Sequence, residues 1–245
     1  MRYNIIQGLN ILVCQFCIFF MFPNPVQAQE LALSKYGVPV VKSIAAYRET
    51  TRSDSLKKIV DINVRAPKIV VDLRYAGKNN FMHRRMYPNG TTHSYLRLQA
   101  LKALDSVESE LNRMGLGLKI FDAYRPYSIT EKFWELVHDD RYVADPKKGS
   151  GHNRGIAVDL TIIDLKSGHE LPMPTGFDSF TDSAHHDFVS LSPEILNNRR
   201  LLKETMEKHG FIAFSTEWWH YSLPHPEYYE LLDLSFKSLE ENSLK

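Results

Sequence analysis

The apolar positions of this chain switch between helical and strand spacing along its length, so helices and strands are interleaved. Apolar residues three and four apart predict one helix over about 94–114, stopped by Gly115. A second helix is predicted from the cap Ser192 to about His209, stopped by Gly210. Strands are predicted where β-branched and aromatic residues dominate, at 69–75, 116–123, 154–163, 211–214 and 218–223.

The order of these elements indicates the fold class. Ser128 and Glu131 stand three residues apart and predict a capping box for a further helix that contains Phe133. The last two strands follow each other too closely for a crossover helix between them, so they are expected to pair antiparallel. The pattern therefore predicts an α+β fold, with a mostly antiparallel central sheet flanked by helices. A polar segment at 165–191 is longer than ordinary connections and is typical of a functional loop.

The first 28 residues have the pattern of a secretory signal peptide. Arg2 precedes an apolar stretch at 5–22, and Ala28 ends a small-residue cleavage site. A membrane anchor is the alternative, but polar residues interrupt this stretch and it is short for a span of about 20 residues. We therefore expect an exported protein, periplasmic or secreted, with no stable membrane span after cleavage. Residues 29–65 are then expected to form an N-terminal extension packed on a domain at 66–245.

Composition narrows the possible chemistry. The chain has 245 residues, of which 43% are hydrophobic and 24% charged, and its mean hydropathy is -0.31, as in soluble globular proteins. Its 30 basic and 29 acidic residues give a net charge of +1, so nothing favours binding to nucleic acid. Both cysteines, Cys14 and Cys17, lie in the predicted signal peptide. Any metal site in the remaining chain must therefore use His, Asp or Glu. The sequence indicates no oligomeric state.

Two short polar stretches lie inside or next to apolar strands and are candidates for chemistry. Asp159 stands among alanine, valine, leucine and threonine, and a buried carboxylate needs a cation or a metal as partner. His152 precedes this strand, and Glu217 and His220 flank a tryptophan pair. Two histidines and one carboxylate would leave zinc a fourth position for water, as in catalytic sites. Glu217 would then be free to act as a base.

Each of these residues also has a simpler interpretation. Asp159 can form an ion pair with Arg125 or Arg154, and a lone histidine in a chain with ten is more often a surface or capping residue. The chain lacks the H-E-x-x-H motif of many zinc peptidases, and it has no G-x-S-x-G motif. Spacing alone therefore leaves the zinc site and the ion pair as open alternatives.

Three motifs together resemble those of a known enzyme family. They are S-G-H-N-R-G-I-A-V-D at 150–159, E-W-W-H at 217–220 and F-D-A-Y-R-P at 121–126. Shorter matches extend the similarity, in consistent order, over about residues 60–225. In this combination the chain resembles the zinc D-alanyl-D-alanine dipeptidases of the VanX type.

The resemblance implies a Hedgehog/DD-peptidase fold, with residues 66–245 as the catalytic domain and one zinc ion per chain. The implied zinc ligands are His152, Asp159 and His220. The implied catalytic base and electrostatic stabiliser are Glu217 and Arg125. The implied substrate-binding residues are Ser150 and Asp178.

The implied activity is that of an exported zinc metallopeptidase that hydrolyses the dipeptide D-alanyl-D-alanine to two D-alanines. Zinc lowers the pKa of its water to about 7, and Glu217 would take the proton and pass it to the leaving amine. Arg125 would hold the developing oxyanion. Asp178 would pair with the free ammonium of the dipeptide, which limits the enzyme to very short peptides.

Two alternatives accompany this hypothesis. A D,D-carboxypeptidase or endopeptidase of the same fold, acting on peptidoglycan stem peptides, would have no substrate ammonium for Asp178 to neutralise. A non-catalytic zinc-binding or peptidoglycan-binding module would have no use for Glu217 beside an open metal position. The stretch between Arg125 and His152 is shorter than in the vancomycin-resistance enzymes, and this difference concerns the rim of the pocket.

Overall fold

The computed structural model describes residues 31–243. Its strands are β1 (Ala32–Leu33), β2 (Pro39–Val41), β3 (Ile59–Asp61), β4 (Val70–Val71), β5 (Tyr95–Arg97), β6 (Leu116–Asp122), β7 (Ala157–Asp164), β8 (Ile212–Ala213), β9 (His220–Ser222) and β10 (Leu231–Leu232). Its α-helices are α1 (Ile44–Thr50), α2 (Ile62–Arg65), α3 (Leu98–Asn112), α4 (Tyr127–Val137), α5 (Gly151–Arg154), α6 (Pro193–Lys208) and α7 (Phe236–Ser243). The predicted signal peptide lies outside the described residues. None of these helices is long and apolar enough to cross a membrane.

The central sheet has five strands in the order β4-β6-β7-β9-β8. Only the β4–β6 pair is parallel, and the other three pairs are antiparallel. Helices α3 and α6 pack against this sheet and against each other. The predicted α+β fold, with a mostly antiparallel central sheet flanked by helices, is therefore confirmed.

The two faces of β7 have different roles. Val158, Leu160 and Ile162 alternate along the strand and enter the main hydrophobic core, which also contains the buried leucines of α3. Because successive side chains of a strand point to opposite faces, Asp159 lies on the other face. The alternation that builds the core therefore also places a carboxylate on the face away from α3 and α6. A second core, on the α1, α4 and α7 side, contains Tyr47 and Phe236 among others.

Several predicted strands are shorter than expected, because fewer of their residues pair in the sheet. The strand predicted at 69–75 is reduced to β4, which pairs with only two residues of β6 and is followed by a 3₁₀ turn at Arg74–Ala76. The strand predicted from residue 154 begins at Ala157, because Gly151–Arg154 forms α5. The two last predicted strands shrink to β8 and β9. Helix α7 was not predicted.

Two predicted helix starts are wrong. Residues Tyr95–Arg97 pair with β3 as a strand, so α3 begins only at Leu98. Helix α4 begins after Pro126, before the predicted cap, and has no side-chain cap. The N–H of Ser128 instead donates to Asp233 Oδ1 at 2.9 Å, so Ser128 and Glu131 form no capping box. The helix from Ser192 is as predicted, since the Ser192 hydroxyl caps α6.

Residues 31–65 supply β1 to β3, α1 and α2. Strand β2 pairs in parallel with β10, and β3 pairs antiparallel with β5. Val41, Tyr47 and Ile59 are buried in the second core. The boundaries proposed at residues 28 and 65 stay predictions.

Candidate active site

Three polar residues form a row across the central sheet. Asp159 of β7 pairs in register with His220 of β9 on one side and with Asp122 of β6 on the other. A bulge at Phe121 shifts the register of β6 by one residue, and this shift brings Asp122 opposite Asp159. Sheet register therefore determines which three side chains meet on this face.

A short helix places His152 above this row. The Ser150 hydroxyl accepts from the His152 N–H at 3.1 Å, and Asn153 Oδ1 accepts from the Ser150 N–H at 3.0 Å, so α5 begins with a capping box. His152 Nδ1 lies 2.7 Å from the Ala123 carbonyl oxygen and donates to it. This bond fixes the tautomer, because the proton on Nδ1 leaves the lone pair of Nε2 free to face the sheet.

The side chains of His152, Asp159 and His220 converge. His152 Nε2 lies 3.2 Å from His220 Nδ1 and 3.4 Å from Asp159 Oδ1, and His220 Nδ1 lies 2.9 Å from Asp159 Oδ1. All three ligand atoms are within 4.8 Å of one another. Two imidazole nitrogens and one carboxylate oxygen are donors that zinc accepts, so the residues present fit a metal ion. The cluster could therefore bind a metal.

The charges of the side chains in this cluster favour the binding of a cation. Burial alone would raise the pKa of Asp159, but the neighbouring His152 and His220 lower it. Burial alone would lower the pKa of His220, but its hydrogen bond with Asp159 raises it. Asp159 is only 3% exposed, so its negative charge has few other partners. A cation held between the three side chains would stabilise a buried carboxylate of this kind.

Arg125 follows β6 and lies next to the cluster in a fixed position. Asp122 Oδ2 accepts from Arg125 Nε at 3.0 Å and from Nη2 at 2.7 Å. The guanidinium carbon lies 4.9 Å from the ring centroids of both Tyr75 and Phe133. Asp122 raises the pKa of Arg125 against the effect of burial, so the group stays charged. Arg125 Nη2 is 3.9 Å from Asp159 Oδ2, which makes Asp122 its main partner.

Arg154, the other arginine considered as a partner for Asp159, points elsewhere. Its guanidinium donates to the main-chain carbonyls of Tyr229 and Lys148. Of the two ion pairs considered for Asp159, the structure therefore shows only the long contact with Arg125.

The Glu217 carboxylate lies beside the cluster but is not one of its three ligand groups. Its Oε2 is 3.9 Å from His220 Nδ1, and a turn just before β9 positions it, since the Glu217 N–H donates to the Phe214 carbonyl at 3.2 Å. Burial raises the pKa of Glu217 to about 7. A carboxyl group with a pKa near neutrality can both accept and release a proton at neutral pH.

Asp178, in the long segment 165–191, reaches the same place from a loop. Its Oδ1 accepts from the Tyr75 hydroxyl at 3.0 Å, and its Oδ2 accepts from the Phe81 N–H at 3.2 Å. Its backbone has a φ of 61°, in the left-handed region. Although the residue opens partly onto a cavity, burial of its carboxyl raises the pKa of Asp178 to about 8.

One cavity joins these residues. Its volume is about 190 Å³, below the roughly 300–1,000 Å³ of pockets for drug-sized ligands. All seven residues singled out in the sequence line it: Arg125, Ser150, His152, Asp159, Asp178, Glu217 and His220. Ser150 differs from the others, because its hydroxyl is already used as the cap of α5. Their individual roles stay predictions.

Sequence reasoning missed three residues that position the site. Asp122 was quoted in a motif but given no role, although the cost of burying a carboxylate would have identified it as it did Asp159. Asn153 is buried, and its Nδ2 donates to the Arg125 carbonyl at 2.9 Å and to Thr130 Oγ1 at 2.8 Å. It thereby ties α5 to α4. Tyr75, which holds Asp178, left no signal in the sequence, because only the fold brings the two together.

Comparison with known proteins agrees with this geometry. A family model described as D-ala-D-ala dipeptidase matches residues 55–237. A D-alanyl-D-alanine dipeptidase of Escherichia coli (strain K12) is 37% identical over 175 residues, covering 71% of this chain and 89% of that protein. A D-alanyl-D-alanine dipeptidase of Enterococcus faecium is 30% identical over 179 residues, covering 64% of this chain and 89% of its own length.

Solved structures are more distant. The vancomycin resistance D,D-pentapeptidase VanY, in complex with Zn(II), is 16% identical with a TM-score of 0.35, over 56% of this chain and 77% of that one. The LdcB LD-carboxypeptidase is 19% identical with a TM-score of 0.35, over 60% of this chain and 69% of that one. Family membership therefore rests on the sequence comparisons.

Proposed function

This chain belongs to the D-ala-D-ala dipeptidase family and is a dipeptidase hydrolase, and we propose that it catalyses the zinc-dependent hydrolysis of D-alanyl-D-alanine to two D-alanines. The observation that carries the proposal is the single small cavity onto which the three ligand atoms, Glu217, Arg125 and Asp178 all open. These groups cover the requirements of peptide hydrolysis: a metal site, a base, an oxyanion donor and a group that recognises the substrate.

His152, Asp159 and His220 would hold one zinc ion per chain. A zinc ion with three protein ligands lowers the pKa of a water molecule to about 7 and polarises a carbonyl group. The Ala123 carbonyl supports the site by keeping the proton of His152 on Nδ1. Because the three donors come from the short helix α5 and two paired strands, their spacing needs no rearrangement of a loop.

Glu217 moves the proton in this proposal. Its carboxylate lies beside His220 rather than among the ligand atoms, so it is free to accept a proton from the attacking water. The pKa of Glu217, about 7 in the metal-free protein, indicates a group that can also release that proton to the leaving amine. Arg125 donates to the oxyanion that develops on the scissile carbonyl, and Asp122 keeps its guanidinium in place.

Asp178 recognises the amino end of the dipeptide. Burial raises the pKa of its carboxyl, which forms no ion pair with any residue of the described range 31–243, and a substrate ammonium would supply a cationic partner. The volume of about 190 Å³ suits a substrate of dipeptide size. A carboxypeptidase that trims longer stem peptides would need neither this carboxyl nor so small a cavity.

The test measures zinc content and peptide hydrolysis on the same protein. Protein loaded with zinc should release D-alanine from D-alanyl-D-alanine, chelation should abolish the activity, and added zinc should restore it. The same protein should cleave N-acetyl-D-alanyl-D-alanine poorly. Equal cleavage of both compounds would replace the dipeptidase with the carboxypeptidase alternative. Zinc binding without hydrolysis of either compound would favour a non-catalytic binding module.

We also propose that the protein acts outside the cytoplasm, on the basis of the signal-peptide pattern in residues 1–28. N-terminal sequencing of the protein from fractionated cells should find a chain that begins at residue 29 in the exported fraction. A chain that keeps residues 1–28 in the cytoplasmic fraction would contradict this.

A further inference from the structure

Three aromatic side chains from three separate loops meet at the cavity. The ring centroids of Phe81 and Phe180 are 5.1 Å apart in an edge-to-face arrangement, and those of Tyr142 and Phe180 are 4.8 Å apart. All three residues line the cavity. Both distances are those of favourable aromatic pairs. We call Phe81, Tyr142 and Phe180 the aromatic wall.

The aromatic wall is held from both sides. Phe81 packs against the buried ring of Phe133, with their centroids 5.6 Å apart. On the outer side, the Arg141 guanidinium lies 5.2 Å from the Tyr142 ring centroid and forms an ion pair with Asp139. Because both ends are supported, the three rings keep a defined position at the cavity.

Asp178 adjoins two members of the aromatic wall, Phe81 and Phe180. The Phe81 N–H donates to Asp178 Oδ2 at 3.2 Å, and Phe180 is two residues further along the chain. A substrate whose ammonium pairs with Asp178 therefore has its amino end against these rings. A peptide with one more residue at that end would have to displace them.

We infer that the aromatic wall sets the length of the substrate, by blocking peptides that extend beyond the amino end of the dipeptide. This inference rests on the proposed function and adds the residues that would impose the limit. It differs from selection by Asp178, because the charge of Asp178 rewards an ammonium at one position, whereas the rings exclude atoms beyond it. Removing a ring should therefore admit a longer peptide while the carboxyl group remains.

The test compares D-alanyl-D-alanine with the tripeptide glycyl-D-alanyl-D-alanine, which has the same scissile bond and one extra residue at the amino end. For each zinc-loaded protein, kcat/KM is measured for both peptides and expressed as the ratio of dipeptide to tripeptide. We expect Phe180→Ala and Tyr142→Ala each to lower this ratio at least tenfold. Phe180→Leu, which keeps an apolar side chain and preserves packing, should lower it less.

Phe214→Ala is the matched control. Phe214 lines the same cavity, but its ring packs against His220 at 5.6 Å instead of joining the aromatic wall. This variant should keep the wild-type ratio. The inference is overturned if wild type cleaves both peptides equally well, or if the Phe180 and Tyr142 variants lose both activities by the same factor. Failure of wild type to cleave the dipeptide at all would instead reject the proposed function.

Discussion

The site has a strand-borne half and a loop-borne half, and the two are built differently. In the strand-borne half, Asp159 and His220 sit on neighbouring strands in register, so main-chain hydrogen bonds fix their separation. In the loop-borne half, Asp178 and the aromatic wall belong to three loops that contact one another mainly through side chains. The first half, together with His152 of α5 and Glu217 of the turn before β9, carries the groups proposed for metal binding and proton transfer. The second half carries those proposed to select the substrate.

This difference indicates how catalytic activity and substrate selection can change independently. A substitution in the strand-borne half disturbs groups that every substrate needs, because sheet register leaves no alternative position for a ligand. A substitution in the loop-borne half changes which peptide fits, since loops tolerate variation without loss of the core. Substitutions in the strand-borne half should therefore lower the hydrolysis of all substrates alike. Substitutions in the loop-borne half should change the ratio of kcat/KM between substrates.

The largest effect is expected from the three ligand candidates. His152→Ala, Asp159→Ala or His220→Ala should each lower zinc affinity by more than the 10- to 100-fold that loss of a supporting group typically costs, because each removes a ligand itself. Hydrolysis should fall with metal content. Elemental analysis after dialysis measures the zinc, and His225→Ala, which changes an exposed histidine, is the control. Full zinc content in all three variants would disprove the ligand assignment.

The next largest effect separates the base from the ligands. Glu217→Gln keeps the shape of the side chain but cannot accept a proton, so this variant should retain zinc while kcat falls by roughly 10²–10⁴-fold. Zinc content and single-turnover hydrolysis should be measured on the same preparation. A variant that hydrolyses the dipeptide at the wild-type rate would remove Glu217 from the mechanism, and a variant without zinc would make it a ligand.

The strand-borne half was also the more predictable from sequence. Asp159 is conspicuous because a carboxylate inside a β-branched run must find a partner, and strand alternation alone assigns it to the face away from Val158 and Leu160. The same burial argument applies to Asp122, but its place opposite Asp159 depends on the bulge at Phe121. No sequence rule that we applied predicts the position of such a bulge.

Most of the loop-borne half could not be predicted from the sequence. The members of the aromatic wall are 61 and 38 residues apart in the chain (142 minus 81, and 180 minus 142), and no periodicity links them. Asp178 was identified only through the family resemblance, and Tyr75, its partner, was not identified at all. The failed capping box at Ser128 has a similar cause, because a tertiary contact with Asp233 takes its backbone N–H. Contacts of this kind are decided by the fold and not by local pattern.

A smaller effect should come from Asp178. Asp178→Asn removes the carboxyl group that would ionise against the substrate ammonium, so kcat/KM for D-alanyl-D-alanine should fall roughly 10- to 100-fold, as expected for about 1.5–3 kcal/mol from a charged hydrogen bond. The value of kcat/KM for N-acetyl-D-alanyl-D-alanine should change less, so the ratio of kcat/KM between the two compounds should fall. Asp140→Asn, at the exposed rim of the same cavity, should leave this ratio unchanged. Equal losses with both compounds would assign Asp178 to structure rather than recognition.

A separate effect concerns how pH acts on stability, not on catalysis, through Asp178. Burial raises the pKa of this carboxyl to about 8 in the folded metal-free protein, from about 3.8 when exposed. Tyr75, the Phe81 N–H and Arg125 favour the carboxylate form, but burial and the charge of Asp159 outweigh them. Between pH 4 and 8, the unfolded chain therefore loses this proton while the folded chain keeps it. By linkage, the contribution of Asp178 to the free energy of unfolding falls as pH rises through this window, by at most about 1.4 kcal/mol per pH unit.

Asp178→Asn cannot titrate, so the free energy of unfolding of this variant minus that of wild type should increase from pH 5 to pH 8. Urea denaturation of both metal-free proteins at the two pH values measures this difference. Asp164→Asn is the comparator, because hydrogen bonds from Ser167 lower the pKa of Asp164 and leave it ionised throughout the range. Its difference from wild type should stay constant between pH 5 and 8. If the Asp178→Asn difference is equally constant, the carboxyl is already ionised in the folded protein, and the loop-borne half then presents a formed anion to the substrate ammonium at every pH tested.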